Sequence, residues 1–328
     1  MIGYVLRRLA NYIVLLFVAV SLTYFLAATQ LHPRSLFLMR NPPLDPRTVE
    51  AVLLERNLSD NVPVWERYVT WLTRIVTQWD WGMSPMGAVV NDEISSRIWV
   101  SLRLLLIGTI LGLLLGVAIG AWAATRQYKI SDRVVTVLTL LVVSTPAFVI
   151  GHVSQILATD ANRRLGFQFF EFIGETGTVH GEGWWPVLLD RLQHLLLPTL
   201  VLMLLGLASM SRIQRNLMLD ALGSDFVRTA RAKGLRENKA VMKHALRTAL
   251  IPTATYVAFT VATMFVGATY TEKIFGFRGM GAYGVDTIMG QDINGVVAVT
   301  AFAGVCVLVG AVLSDIFVAI LDPRVRLG

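Results

Sequence analysis

The sequence predicts an all-α integral membrane protein: six transmembrane helices, a small extracytoplasmic subdomain after the first, and a cytoplasmic two-helix loop between the fourth and fifth. Three observations predict it. Of 328 residues, 55% are hydrophobic and only 16% charged, with a mean hydropathy of +0.60; an ordinary soluble domain carries about 25% charged residues. Six apolar runs recur along the chain, each long enough or nearly so to cross a hydrocarbon core of about 30 Å. One long basic segment, residues 220–252, interrupts them with Arg228, Arg231, Lys233, Arg236, Lys239, Lys243 and Arg247, the composition of a loop retained on the cytoplasmic side.

Arg7 and Arg8 precede the first run, residues 9–28. Its apolar part is long for a signal peptide and no small-x-small site follows, so a retained first span within residues 1–29 is expected. Residues 30–98 turn polar, with Pro33, Pro42, Pro43, Pro46 and Pro63 and charges of both signs. Within them, residues 45–56 and 64–77 have helical periodicity, the second through Trp65, Tyr68, Trp71 and Leu72, which predicts a folded extracytoplasmic subdomain. Such an aromatic stripe reads as core or interface anchor rather than as a ligand box.

A five-helix core is expected over residues 99–328. Its first run, 100–124, carries Gly108, Gly112, Gly116 and Gly120, one every fourth residue; they lay a flat strip along one helix face and mark close helix packing. Arg126, Lys129 and Arg133 form a short loop before a third span at 134–157, in which Ser144, Thr145 and Pro146 predict a kink that shapes a pathway or accommodates packing. His152 and Gln155 on that span read as interhelical hydrogen-bonding residues rather than ion ligands, because no midmembrane carboxylate accompanies them. A polar stretch, 159–193, carries Trp184, Trp185 and Pro186; spans at 194–211, 251–270 and 296–321 follow, the last ending in Asp322, Pro323, Arg324, Val325 and Arg326. Between the last two spans, glycines 276, 279, 281 and 284 permit tight turns, and residues 282–289 are expected as a short surface helix.

In the basic segment, Ser224 is an N-cap candidate with Asp225 in the first turn, Ala230 and Ala232 favour the helix, and Gly234 can end it in a left-handed conformation. A second helix starts near Glu237 and runs toward Ile251 and Pro252. Retention of charge explains the basic residues. It does not explain Ala230 and Gly234 at i and i+4 beside an aromatic knob at Phe226, a surface suited to docking in a partner's groove.

The residues of this segment, DFVRTARAKGL followed by HALRTALIP, resemble the EAA-type coupling loop of the permeases of binding-protein-dependent ABC importers (type I importer permeases). The variant is that of the oligopeptide, dipeptide and nickel branch, and within it of the oligopeptide permease B subunits. Where the general pattern has Glu-Ala-Ala, this chain has Arg228, Thr229 and Ala230, a change the branch shares. The stretch 57–68 followed by Asp80, Trp81, Gly82 and Ser84 resembles the branch's first external loop, and Glu272, Phe275, Gly279, Met280 and Gly281 match its outward loop, with Arg278 where a proline is usual. A plain glycine-rich connector is the other reading of that loop.

The resemblance implies that Asp225, Phe226, Val227, Arg228, Thr229, Ala230, Arg231, Ala232, Lys233, Gly234 and Leu235 couple to an ATPase, and that the outward-loop residues form an outer gate or contact a binding protein. It implies as partners a second homologous permease, two cytoplasmic ATP-binding subunits or domains, and an extracytoplasmic peptide-binding protein, in a bacterial inner membrane. No cofactor is expected on this chain, ATP and Mg belonging to the ATPases. The cargo of the branch is a short peptide, a dipeptide, glutathione or a nickel complex.

With the N-terminus inside, sixteen basic and six acidic residues fall on the inner side, twelve basic and sixteen acidic on the outer; both termini are then cytoplasmic. The chain has no G-x-x-x-x-G-K-[ST], H-E-x-x-H or G-x-S-x-G motif. Its histidines, 32, 152, 180, 194 and 244, are dispersed and Cys306 is single, so neither a catalytic residue nor a metal ligand is assigned. The alternative is a stand-alone secondary transporter or channel for a small solute. Such carriers place ionisable groups near the midplane, whereas Asp315, the one carboxylate within a span, lies near the inner end and is expected to pair with Arg324 or Arg326.

Overall fold

The structure is a computed structural model that describes residues 2–38, 44–177 and 183–321. Among these its named elements are all helices: α1 (Ile2–Gln30), α2 (Ser35–Leu38), α3 (Pro46–Glu55), α4 (Val64–Gln78), α5 (Val90–Ala124), α6 (Ile130–Ser144), α7 (Ala147–Leu165), α8 (Trp184–Leu222), α9 (Asp225–Ala232), α10 (Glu237–Ala240), a π-helical stretch (Val241–Leu246), α11 (Arg247–Phe275), α12 (Met280–Met289) and α13 (Ile293–Leu321). Among the described residues, α1, α5, α8 and α13 contain stretches long and apolar enough to cross a membrane, and α6 with α7 makes a fifth if the bent pair is one span. The terminal residues Asp322–Arg326, and with them the expected pairing of Asp315, lie outside the described residues, as does His180.

The helices divide into two units. Met1–Ser101 and Arg278–Leu308 form the first, Leu102–Phe277 and Val309–Gly328 the second.

In the first unit, Asp45 caps α3 by accepting the Arg47 N–H, and Pro46 opens the helix where its missing donor costs nothing. The α4 stripe divides by its 3.6-residue period. Tyr68 and Trp71 are buried against Tyr24 of α1, with ring centroids 5.4 and 4.9 Å away, and pack with Leu53, Leu58, Ile293 and Val297. Trp65, on the outer flank, stays 63% exposed. A hydrogen bond of 2.7 Å between Ser21 Oγ and Tyr68 Oη pins α4 to α1.

In the second unit, the glycine strip of α5 meets α8 where expected. A Cβ at Gly112 would lie 2.8 Å from the Met203 carbonyl oxygen and 3.3 Å from Gly206 Cα; at Gly108 it would meet Leu202, at Gly116 Met210, and at Gly120 the Ser211 carbonyl. Contact positions rise together along both helices, so α5 and α8 run parallel. No side chain fits between the two backbones, and this is the small-residue route to close approach in a membrane.

Three expectations are corrected. The third span is broken rather than kinked: α6 and α7 meet at 106°. Thr145 takes the extended conformation (φ −92°, ψ 128°) that a following proline imposes, and Pro146 caps α7. The fourth span begins ten residues early, at Trp184, because the Trp-Trp-Pro start reads into the helix. The second helix of the basic segment is not separate from the fifth span. From Glu237 the chain runs unbroken to Phe275, through a π-helical turn and past Pro252, the lost backbone bond being tolerated inside a packed helix.

Candidate functional site

The basic segment folds as its grammar dictates. α9 begins after Ser224, whose backbone is extended (φ −76°, ψ 151°), but the Ser224 hydroxyl makes no cap and donates back to the Ala221 carbonyl. At the other end Gly234 has φ 84°. Its N–H donates to Arg231 O at 2.9 Å and the Leu235 N–H donates to Ala230 O at 3.2 Å, a Schellman stop that only glycine makes without strain.

The helix is amphipathic, and its two faces differ from the expected docking face. Val227 (2% exposed) and Ala230 (8%) turn inward. Val227 packs in a cluster with Ala124 at the end of α5, Met218 and Ala221 at the end of α8, and Ala245 and Ala249 of the helix that follows. Ala230 is thus not part of an outward small-residue face; the exposed residues are Phe226, 45% exposed, Asp225, Arg228, Thr229, Arg231, Ala232, Lys233 and Gly234, beside which a Cβ would find open space. Leu235 is half-buried. The π-helical turn stands directly behind this helix, a local irregularity often found at functional positions.

One polar clamp in the same unit was not foreseen. Arg215 of α8 holds Asp132 of α6 bidentately, Nε to Oδ1 at 2.6 Å and Nη2 to Oδ2 at 2.8 Å, and Asp132 Oδ2 also accepts the Tyr128 N–H. Nothing in the sequence pairs residues 83 positions apart. Gln214, one residue before, accepts the Thr253 hydroxyl of α11 at 2.6 Å.

The outward-loop residues fall in both units and are mostly internal. In the second, Glu272 and Phe275 are fully buried. Phe275 meets Phe172 edge-on at 6.5 Å, its carbonyl accepts the Gly174 N–H at 2.8 Å, and Gly276 follows in a left-handed conformation (φ 68°). In the first, Gly279 and Met280 are buried, Gly281 is half-buried, and the Met280 N–H donates to Ser101 Oγ at 2.7 Å. These residues hold the loop; its exposed surface includes Arg278, Val285, Asp286, Ile288 and Met289.

Asp292, just before α13, is a buried carboxylate whose Oδ1 accepts the Gly295 N–H at 2.9 Å. Burial pushes its carboxyl up to about 6, against the pull of backbone hydrogen bonds from Gly295 and Asn294, and Glu93 adds to the rise. The folded form therefore holds a proton that the unfolded chain has released, so stability from this group is full below about pH 4 and is lost as pH rises through about 6. Asp292→Asn keeps an oxygen for Gly295 and removes the buried charge. It is expected to raise the thermal midpoint in detergent by about 5 °C at about pH 7.5 and by much less near pH 4. A variant that melts below the parent at the higher pH contradicts this account.

Along α7 and the segment after it runs an open groove of about 770 Å3, lined by His152, Gln155, Thr159, Asp160 and Arg163 together with the apolar Ile156, Leu157, Phe172 and Ile173. Gln155 donates to the Ile274 carbonyl at 2.9 Å, the interhelical bond expected of it, and His152 faces the groove. The sequence assigned the histidines no ligand grouping. Folding nonetheless gathers Glu171, Asp190 and His194, since the last two stand one helical turn apart on α8.

The sequence model of the family described as binding-protein-dependent transport system inner membrane component matches residues 116–327. The chain is 47% identical to the oligopeptide transport system permease protein OppB of Mycobacterium tuberculosis, over 100% of both chains. It is 33% identical to the dipeptide transport system permease protein DppB of Lactococcus lactis, again over 100% of both, and 32% identical to the oligopeptide transport system permease protein AppB of Bacillus subtilis, over 99% of this chain and 100% of that one.

Proposed function

Because the chain belongs to the family of binding-protein-dependent transport system inner membrane components, we propose that it is the membrane permease subunit of an ATP-driven importer of short peptides. It forms the translocation pathway with a second, related permease, receives two cytoplasmic ATPases, and takes cargo from an extracytoplasmic binding protein. It hydrolyses nothing itself, ATP and Mg being bound by the ATPases. The peptide cargo rests on the relatives named above.

One observation carries the coupling role. α9 is seated through Val227 on the ends of α5 and α8 and on the start of the helix that becomes α11, while Phe226 and the basic side chains face away. A push on this short helix is passed to three spans at once. Close-packed interiors transmit displacement rather than absorb it, so ATPase closure moves the spans as a body and opens the pathway alternately to each side.

Six crossings with both termini cytoplasmic fit this role. The parallel run of α5 and α8 requires one return crossing between them, which the bent pair α6–α7 supplies, and α11 is a 29-residue helix between α8 and α13. The basic inner side agrees. Residues 30–98 then form an extracytoplasmic subdomain, residues 99–328 the permease core and residues 220–252 the coupling loop, with the surface of Arg278, Val285, Ile288 and Met289 available to the binding protein.

Mass spectrometry of what co-purifies with the chain, tagged and extracted in mild detergent from its native host, tests the assembly. A second permease with one or two ATPases is the expected result. Recovery of the chain alone, or only with copies of itself, overturns the importer and brings the secondary transporter forward.

A further inference from the structure

Asp190 and His194 lie one turn apart near the start of α8, and Glu171 reaches them from the segment after α7. Their ligand-capable atoms all lie within 4.8 Å of one another. His194 and Asp190 side chains are only 4% and 10% exposed, Glu171 32%. His194 Nδ1 stands 2.8 Å from the Asp190 backbone carbonyl and donates to it. That bond fixes the tautomer and leaves the lone pair on Nε2, the arrangement by which ligating histidines are oriented.

Nε2 then faces Glu171 Oε2 at 3.6 Å. This is longer than a hydrogen bond, and the neutral imidazole, with Nδ1 donating, offers only an acceptor on that side. Two ligand atoms each about 2.1 Å from a tetrahedral ion stand about 3.4 Å apart, so the gap has the width that a shared cation needs. Gly177 closes the cluster with its backbone: its N–H lies 3.0 and 3.2 Å from the two Asp190 carboxylate oxygens. A Cβ there would stand 2.9 Å from Glu171 Oε2 and 3.1 Å from His194 Cε1, so a side chain would intrude on the ligands.

We propose that Glu171, Asp190 and His194 bind one divalent transition-metal ion of the zinc class, which staples the segment after α7 to the head of α8. Mixed imidazole and carboxylate donors suit zinc. Three protein ligands leave a fourth position for water on the more exposed Glu171 side. The ion is structural, and the assignment is independent of the transport reading because binding is measured without uptake.

The test uses the full chain in detergent, carrying no histidine tag, stripped with chelator and titrated with zinc chloride against a chromophoric competitor. About one ion per chain is expected, with affinity falling by more than ~100-fold in both His194→Gln and Glu171→Gln. Zinc is also expected to raise the thermal midpoint of the parent and not of either variant. Should His194→Gln not yield a monodisperse protein, Glu171→Gln decides the question, its side chain being partly exposed. Equal zinc uptake by parent and variants, from the other histidines, overturns the site. So does the absence of uptake together with a pH-dependent melting that His194→Gln removes, the mark of a protonated His194 paired with Glu171.

Discussion

Phe226→Asp is expected to abolish uptake while leaving the permease folded. The ring is 45% exposed on α9 and takes no part in the cluster that seats the helix. Removing an aromatic anchor from the middle of a docking surface costs about 2 kcal/mol or more of binding, or roughly thirty-fold in affinity, and a carboxylate in an apolar groove adds a desolvation cost. The ATPases should therefore be lost on affinity purification, peptide uptake in membrane vesicles should fall to background, and the melting temperature of the isolated chain should not move. Val227→Asp is the contrast: it buries a charge among Ala124, Met218 and Ala245, and should lower both melting and yield. Full uptake by Phe226→Asp would remove this helix from the coupling path.

Gly112→Leu is expected to be the most damaging single change to the fold. Its Cβ alone would stand 2.8 Å from a backbone oxygen of α8 and 3.3 Å from Gly206 Cα. Backbone atoms cannot swing aside as a side-chain tip can, so the helices must separate along the whole strip. Overpacking of this kind costs about 1–3 kcal/mol where neighbours yield, and here they do not; the monodisperse fraction recovered from membranes should fall several-fold. Gly223→Ala is the matched control. Its Cβ meets nothing nearer than 3.6 Å and its backbone is ordinary (φ −76°), so yield and melting should stay at parent values. Near-parent yield of Gly112→Leu would show that the two helices are not held in this contact.

What the sequence disclosed, and what it hid, follow from the range of the forces involved. Local rules act within a turn or two of chain, and they placed α3, α12, the Gly234 stop and the glycine strip. Periodicity likewise showed which residues of α4 share a face. It could not show that Trp65 stays outside, which depends on where α1 lies. The break at Thr145–Pro146 was visible as a proline, but its angle is set by the neighbours on each side. The Asp132–Arg215 clamp and the gathering of Glu171 with Asp190 and His194 join residues distant in sequence, where no local pattern exists to read. Ala230 turns inward for a related reason: a small residue suits close approach to a partner or to the chain's own helices, and spacing alone does not say which.

The glycine strip also has a place in time. Gly112 and the Gly206 that covers it are separated by about ninety residues, and ribosomes add roughly 5–20 residues per second. For about 5–20 s of every synthesis the grooved face of α5 exists without its cover, at a stage when α6 and the bent α7 are entering the bilayer. Lipid chains or the insertion machinery must fill it, and must leave when α8 arrives.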